Sequence, residues 1–285
     1  MKVRFALLAS AALLCTSVLA QQPQAPAGAP AQAQAQSAAP PFRVFIYGGL
    51  KTHGEGQHDY PQFLADWSKI LMNRGATVDG ALHFPSAREL AATDVIVIYK
   101  GDAGYMSLED RATLDNYLRR GGGLVTFHDS LCGPDPGEFS GFVGGAKKHG
   151  ETNFTLEADV PYTIVDTANP IMQGMSNFTI KDEAFFNMTW SKTPEIHVLA
   201  TATMAATPSA GTHAGEVVPQ IWTYEKSLLP GAPAFRAFVW MQGHNYVNFA
   251  NPVVQPMLLR GIAWAGKRPA DALATERTAR RGGRG

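Results

Sequence analysis

Cysteine is scarce in this sequence. Two cysteines occur in 285 residues, Cys15 and Cys132. Because Cys15 lies in an N-terminal segment that we expect to be removed, the mature chain keeps only Cys132 and can form no intrachain disulfide. Leu131 precedes Cys132 where a nucleophile elbow needs a small residue, and Pro134 and Pro136 follow where the helix of that elbow begins. The sequence therefore argues against cysteine catalysis.

Three further features of the sequence argue against whole classes of function. Beyond its N-terminal segment the sequence has no unbroken run of about 18 apolar residues, so we expect no stable membrane anchor. It contains neither the phosphate-binding pattern G-x-x-x-x-G-K-[ST] nor a strand-linked G-x-G-x-x-G, so no nucleotide cofactor is expected. Lys and Arg together number 24, as do Asp and Glu, and this balance argues against nucleic acid as a partner.

Both ends of the chain differ in composition from its middle. Residues 1–20 carry Lys2 and Arg4, then an apolar run, then small residues at the positions that a signal peptidase recognises, which is typical of a secretory signal peptide. Residues 21–41 are mostly Ala, Gln and Pro and predict a disordered linker, and residues 268–285 predict a polar tail. We therefore expect one domain over residues 42–267, secreted to the periplasm.

The first half of this domain alternates strand and helix patterns. Short apolar runs predict strands in FRVFIYGG, TVDGALHF, DVIVIYK and GLVTFH. One helix is predicted from Pro61 to Gly75, and a second begins after Ser107 and ends at the glycines 121–123. This alternation predicts an α/β fold with a mainly parallel sheet and helices on both faces.

The second half of the domain has a different pattern. It consists mostly of strand-like segments and closes with one apolar helical segment, PVVQPMLLRGIAWAGK. Two arrangements remain open for these strands. They are either antiparallel additions to the first sheet or a β-rich lobe beside it.

Polar side chains follow three predicted strands at the point where each strand ends. His53 and His58 lie in the glycine-rich loop GGLKTHGEGQHDYP after the first strand, and Lys100 follows another. His128 closes a third, next to Asp129, which could orient its imidazole. Because ligands of such folds bind beyond the carboxyl ends of the strands, we expect the three histidines to converge on one rim.

Several segments, in this order, resemble the ThuA-like (trehalose utilisation) family. They are the histidine loop, DVIVIYKGDAG, LRRGGGLVTFHDS, NPIMQGM, IKDEAFF, FVWMQGHN and LLRGIAWAG, over residues 42–267. The resemblance implies a three-layer α/β sandwich, similar to the flavodoxin-like fold of class I glutamine amidotransferases, and a role in catabolism of trehalose or keto-sugars. Two departures stand out: TFHDS replaces the usual GLHA, and Phe185 replaces a tyrosine-like aromatic.

The resemblance also implies functional roles for His128, Asp182 and Glu183. Because successive strand residues point to opposite faces, only one of the two adjacent acids can enter a site. The resemblance favours Glu183 and leaves Asp182 solvated or structural. His244 follows an apolar strand and a glycine, and His149 lies in another glycine-rich segment, so both are further candidates for the same rim.

A metal site is one interpretation of this rim. Imidazole and carboxylate groups suit zinc and similar divalent ions, and such a site leaves one position open for water or a sugar oxygen. The ligands that we predict are His53, His58, His128 and Glu183. In this interpretation His244 or His149 transfers a proton.

A metal-free interpretation is also open, in which the same groups perform acid–base chemistry directly on a keto-sugar. The predicted catalytic residues are His128, Glu183, His244 and His149. Such an enzyme would be a hydrolase, a lyase or an isomerase. A non-catalytic carbohydrate-binding or assembly protein would use the same pocket without turnover. In each case the expected partner is a small carbohydrate, and the sequence leaves the oligomeric state open.

Overall fold

The computed structural model describes residues 40–150, 154–192 and 195–277. The predicted signal peptide, the predicted linker up to residue 39 and residues 278–285 of the predicted tail lie outside these ranges. No helix within them is long and apolar enough to cross a membrane. The described part of the predicted tail packs on the domain, because a 3-10 helix over Ala270–Leu273 buries Leu273.

Strands and helices alternate in the first half of the chain, and strands dominate the second. The strands are β1 (Phe42–Gly48), β2 (Ala76–Ala81), β3 (Val95–Tyr99), β4 (Gly123–Phe127), β5 (Gly145–Ala146), β6 (Phe154–Ile164), β7 (Phe178–Phe185), β8 (Thr189–Trp190), β9 (Ile196–Thr203), β10 (Val217–Lys226) and β11 (Phe235–Trp240). The α-helices are α1 (Tyr60–Asn73), α2 (Ala87–Ala91), α3 (Leu108–Arg119), α4 (Pro136–Val143) and α5 (Val254–Ala265).

One nine-stranded sheet runs through the domain in the order β2-β1-β3-β4-β11-β10-β9-β6-β7, and β5 pairs separately with β8. The first five strands of this order are parallel to one another. The remaining pairings, from β11–β10 to β6–β7, are antiparallel. The predicted α/β fold, with a parallel sheet and antiparallel additions, is confirmed. Of the two arrangements left open for the second half, the structure has the additions to the first sheet.

Helices cover both faces of the sheet, which gives the three-layer sandwich. Alternate residues of β3 pack into different cores, as expected for a strand buried on both sides. Val95, Val97 and Tyr99 face the core that includes α1 and α5, whereas Ile96 and Ile98 face the core that includes α3 and α4. The carboxyl ends of the parallel strands therefore form one rim between two helical layers.

The ends of the helices follow local sequence signals. Helix α1 carries Pro61 in its first turn, and Gly75, with a φ of 91°, follows its end. Ser107 caps α3 by accepting a hydrogen bond from the Asp110 N–H (3.0 Å). Helix α4 begins at Pro136, so no α-helix starts directly after Cys132 as a nucleophile elbow would require. A proline fits the first turn of a helix, where its missing N–H costs no hydrogen bond.

The β6–β7 hairpin returns to the rim where the parallel strands end. Strand β6 pairs with β9 only through Tyr162–Ile164, whereas it pairs with β7 almost throughout. At the end of β11, the Trp240 Nε1–H donates to the Tyr162 hydroxyl (2.9 Å). Beyond β11, the Asn248 side chain donates to the Lys181 carbonyl of β7 (2.9 Å). The hairpin thus brings the second half of β7 against the loop after β11.

Candidate functional site

The loop that carries His58 is fastened to the loop after β11. The His58 N–H donates to the His244 carbonyl (3.0 Å). Beside this bond, Gln57 and Asn245 pair as an isolated antiparallel bridge. His58 has a φ of 45°, in the left-handed region that few non-glycine residues adopt. These contacts bury its side chain, which is only 2% exposed although its loop is rich in glycine.

His128 follows β4 and begins the 3-10 helix His128–Leu131. It is fully buried, also has a positive φ (51°), and its ring stacks on Phe185 with centroids 4.8 Å apart. Its Nδ1 lies 3.3 Å from the Met241 carbonyl. Because a carbonyl oxygen only accepts, Nδ1 carries the ring proton and Nε2 presents a lone pair to the site.

Asp182 orders the turn that presents His244. The Asp182 carboxyl group is fully buried on β7 and accepts five hydrogen bonds. The donors are the backbone N–H groups of Glu183 (2.7 Å), Gly243 (3.3 Å), His244 (3.1 Å) and Asn245 (3.3 Å) and the side chain of Asn248 (2.7 Å). Of the two roles that we left open for Asp182, solvated was wrong and structural agrees with these contacts.

Three imidazole nitrogens meet at one point. We call His58, His128 and His244 the histidine cluster. The Nε2 of His58 lies 3.0 Å from the Nε2 of His128 and 3.0 Å from the Nδ1 of His244. All three ligand atoms lie within 4.8 Å of one another. In a tetrahedral zinc site, nitrogens about 2.0–2.1 Å from the metal are about 3.3 Å apart, so the spacing suits a metal ion.

The outer hydrogen bonds of the histidine cluster leave its His58–His128 contact without a proton. A ring nitrogen carries at most one proton, so His58 Nε2 cannot donate to both of its neighbours. His58 Nδ1 lies 3.0 Å from the Thr52 hydroxyl, which can accept the ring proton there and leave Nε2 unprotonated. The contacts of Thr52 and Met241 therefore favour the tautomers in which His58 and His128 both direct lone pairs inward, as the outer partners of metal-bound histidines do.

Glu183 adds a carboxylate to the histidine cluster from β7. Its Oε1 lies 3.4 Å from His244 Nδ1, and its Oε2 lies 3.7 Å from His128 Nε2. Its side chain is buried together with the histidines, whereas the neighbouring Asp182 turns to the backbone after β11. The expectation that only one of these two acids enters the site, and that it is Glu183, agrees with this geometry.

Two predicted residues lie outside the histidine cluster. His53, predicted as a metal ligand, is exposed; its ring centroid lies 4.0 Å from that of His58, and its Nδ1 contacts the Thr52 hydroxyl (3.1 Å). His149 is largely exposed and pairs with Asp102 (3.3 Å). The structure thus places His244, which we had assigned to proton transfer, where the predicted ligand set had His53.

Lys147 is a site residue that the sequence analysis missed. It is 5% exposed, its Nζ lies 2.8 Å from Asp129 Oδ1, and it lies 3.3 Å from the ring centroid of Phe185. Its backbone N–H donates to the Leu131 carbonyl (3.1 Å), which ties β5 to the segment after His128. Nothing in the segment GGAKKHGE distinguishes Lys147 from Lys148, so only the fold reveals which lysine enters the site.

A small cavity of about 70 Å³ lies among these groups. Histidine, carboxylate and ammonium groups face it together with two phenylalanines. The lining residues are His53, His58, Asp129, Lys147, His149, Gly150, Phe154, Glu183 and Phe185. The sequence-predicted residues His53 and His149 therefore belong to the mouth of the site, although they are not in the histidine cluster.

Burial keeps the histidine cluster neutral. Desolvation, with the neighbouring imidazoles, lowers the pKa of His58 to about 2, and desolvation lowers that of His128 to about 3. The pKa of His244 is lowered for the same reason. Burial, and then the nearby Asp129 carboxylate, raise the pKa of Glu183 to about 8. Neutral imidazoles are the form that binds metals, and they are weak proton carriers near pH 7.

Cys132 lies beside the site but is not a nucleophile candidate. It is fully buried, and its thiol lies 3.5 Å from Asp129 Oδ1. Burial raises the pKa of the Cys132 thiol, and the Asp129 charge raises it further. Since the thiolate is the reactive form, these surroundings agree with the sequence-based argument against cysteine catalysis.

Comparisons with known proteins agree with the fold. A family model described as ThuA, trehalose utilisation, matches residues 43–265. A solved ThuA-like protein from Bacteroides uniformis has a TM-score of 0.62 at 19% identity, over 84% of this chain and 95% of that one. A second, from Parabacteroides merdae, has a TM-score of 0.60 at 17% identity, over 79% and 90%. A search of curated proteins gives no match.

Replacing Glu183 by glutamine tests the electrostatics of the metal-free site. The folded-state pKa of Glu183, about 8, lies above the ordinary 4.5, so the folded protein holds a proton that the unfolded chain releases between these pH values. Stability is therefore lost as the pH rises from about 4.5 to 8. Glutamine avoids this loss. With a chelator present, Glu183→Gln should melt several degrees higher than wild type at pH 8, since about 1 kcal/mol corresponds to about 2–4 °C in a domain of this size.

The control for this experiment is Glu55→Gln, which changes an exposed glutamate of the His58 loop. Melting temperatures of the three proteins are compared at pH 4.5 and pH 8. The gain of Glu183→Gln should appear at pH 8 and vanish at the acidic pH. Identical melting of wild type and Glu183→Gln at pH 8 would contradict the raised pKa.

Proposed function

Because the chain belongs to the ThuA (trehalose utilisation) family, we propose that it acts on a sugar or keto-sugar through a divalent metal held by the histidine cluster and Glu183. The family supports a carbohydrate-related role, and the geometry of the site supports the chemistry. The expected ligand atoms are the Nε2 of His58, the Nε2 of His128, the Nδ1 of His244 and a carboxylate oxygen of Glu183.

One observation carries this proposal: the His58 Nε2 lies 3.0 Å from two other ring nitrogens. In the favoured tautomers of His58 and His128 no proton lies between their Nε2 atoms, whereas a cation would accept both lone pairs and that of a suitably protonated His244. The low pKa values of His58 and His128 support the same assignment, because neutral imidazoles bind a metal without first losing a proton.

A bound divalent ion would polarise a sugar carbonyl or lower the pKa of a water molecule at the site. The protein's own residues complete the chemistry. Asp129 and Lys147 form a charged pair that lines the cavity together with Glu183 and Phe185. His53 and His149 lie at the exposed mouth, where each can exchange a proton between the substrate and solvent.

A metal-free reaction is the second candidate, and the pKa of Glu183 is the observation that favours it. A carboxylic acid with a pKa of about 8 is suited to donate or accept a proton near neutral pH. In this alternative Glu183 would act as the acid or base beside a sugar ketone, and the histidine cluster would only orient the substrate. Sensitivity to chelators separates the two candidates.

Zinc content of single variants tests the metal site. Protein produced without a histidine tag should bind close to one equivalent of zinc, measured by elemental analysis after dialysis. Removing one imidazole from the histidine cluster, as in His58→Ala, His128→Ala or His244→Ala, should weaken zinc binding by more than tenfold, because each removes a direct ligand.

His53→Ala is the matched control, since it removes a neighbouring imidazole that lies outside the histidine cluster. It should keep its zinc within a few-fold of wild type. Wild-type protein with substoichiometric zinc and activity indifferent to chelators would contradict the metal proposal. Loss of zinc in His53→Ala but not in His244→Ala would instead support the ligand set predicted from the sequence, which contains His53 and not His244.

Turnover separates an enzyme from a carbohydrate-binding or assembly protein. Pure protein is incubated with parent disaccharides such as trehalose and with their 3-keto derivatives, and products are followed by mass spectrometry. We expect product from at least one keto-sugar, and at least a hundredfold less from His128→Ala. Saturable binding of sugar without any product would favour the non-catalytic alternative.

We also propose that the protein is exported to the periplasm and there meets its small-molecule partner. The support is the charged start, apolar run and small residues of positions 1–20. Mass spectrometry of the amino terminus in the producing cell tests this proposal. The expected mature chain begins at Gln21, and an intact Met1 would contradict export.

A further inference from the structure

Lys147 has no role as a metal ligand, yet it is one of the most deeply buried charges of the site. Its side chain is 5% exposed, and its Nζ contacts Asp129 Oδ1 (2.8 Å) and the face of Phe185 (3.3 Å to the ring centroid). Burying an ammonium group costs free energy, even when it is paired. A buried lysine that lines a cavity therefore invites a functional explanation.

The ammonium group of Lys147 has one N–H left to donate to a ligand. It carries three N–H bonds, of which Asp129 accepts one and the ring of Phe185 faces another. Lys147 lines the same cavity as His58 and Glu183, so a ligand that reaches the histidine cluster passes within reach of this nitrogen. The backbone hydrogen bond from Lys147 N–H to the Leu131 carbonyl (3.1 Å) holds the backbone of Lys147 in place beside the cavity.

The charges of the site leave one positive charge uncompensated. Three neutral imidazoles and one carboxylate around a divalent cation keep a net positive charge, and the Lys147–Asp129 pair adds none. In a buried site such a charge favours an anionic ligand, because water does not screen it. The proposed cation at His58 and Glu183 and the ammonium group of Lys147 lie beside one small cavity, and together they suit a single anionic oxygen, or two oxygens on neighbouring atoms.

We propose that Lys147 binds an anionic oxygen of the substrate, so that the site selects sugar-derived ligands that carry or develop negative charge beside a hydroxyl group. This inference rests on the proposed metal-assisted function. Two sources share this chemistry: the carboxylate of a sugar acid, and the enediolate formed when a keto-sugar gives the proton beside its ketone to the imidazole of His53 or His149. In both, the anionic oxygen lies between Lys147 and the histidine cluster.

Binding of three matched probes to zinc-treated protein tests the role of Lys147. The probes are gluconate, which carries a carboxylate; the corresponding hydroxamate, which mimics an enediolate; and glucitol, which has the same carbon chain without charge. Wild-type protein should bind at least one of the two anions more than tenfold tighter than glucitol, by titration calorimetry. A preference for gluconate identifies the sugar acid, and a preference for the hydroxamate identifies the enediolate.

Lys147→Met keeps most of the length of the side chain and removes its charge, and it should reduce the preference for the anion more than tenfold while zinc content stays at the wild-type level. Lys148→Met removes the same charge one residue away and should leave the preference intact. Equal binding of anion and glucitol by wild type, or an unchanged preference in Lys147→Met, would overturn the proposal.

A double variant covers the case in which Lys147→Met does not fold because Asp129 is left buried without its partner. Lys147→Met with Asp129→Asn removes both charges and leaves the net charge of the site unchanged. Loss of the anion preference in this variant supports a direct contact by Lys147, and its retention overturns it. Zinc content of the same samples tests the proposed function separately. Wild-type protein without zinc would contradict the proposed metal site, whereas the comparison of probe binding between the variants would still test the role of Lys147.

Discussion

In the tautomers that their outer contacts favour, the Nε2 atoms of His58 and His128 face each other in the buried histidine cluster with no proton between them. The His58 Nε2 has two ring nitrogens at 3.0 Å, and the outer hydrogen bonds of His58 and His128 favour tautomers that direct lone pairs inward. Lone pairs that face each other repel unless a cation lies between them. Two acidic side chains lie beside these nitrogens: Glu183 Oε2 is 3.7 Å from His128 Nε2, and Asp129, which offsets the charge of Lys147, is 3.9 Å from His58 Nε2.

The scaffold holds these nitrogens together although they are far apart in sequence. His128 lies directly after β4, and His244 follows β11, the strand beside β4. His58 reaches them because its N–H donates to the His244 carbonyl, so one hydrogen bond joins two loops. His53, His58 and His128 all have positive φ values, which cost energy for residues with a side chain and recur at functional sites. The surrounding hydrogen bonds offset that cost.

Much of the fold could be predicted from residue patterns. Strand runs, helix periods and caps depend on neighbouring residues, and the position of the site follows from the general rule that ligands bind at strand ends. The alternation of apolar runs and helical periods indicated the parallel half, and Ser107 marked the start of α3. The rule that ligands bind at strand ends predicted that His58 and His128 lie on one rim. The pairing of the antiparallel strands remained open, because strand patterns alone do not say which sheet a strand joins.

The finer assignments within the site depended on tertiary contacts that spacing does not encode. His53 and His58 are equivalent in the sequence, and the backbone bond to His244 decides which of them is buried. Lys147 and Lys148 are neighbours, and the isolated bridge between Lys147 and Cys132 selects Lys147. Both outcomes depend on the packing of distant segments, whereas the start of α4 is local, because Asp135 caps it by accepting from the Glu138 N–H.

The most direct test of the central claim is a crystal structure of zinc-treated protein, with diffraction data collected on both sides of the zinc absorption edge. The account predicts one strong anomalous peak about 2.0–2.1 Å from the Nε2 of His58, the Nε2 of His128 and the Nδ1 of His244, with a Glu183 oxygen about 2.0–2.2 Å away. A peak that is absent from this position, with the three rings hydrogen-bonded to ordered water instead, would contradict it.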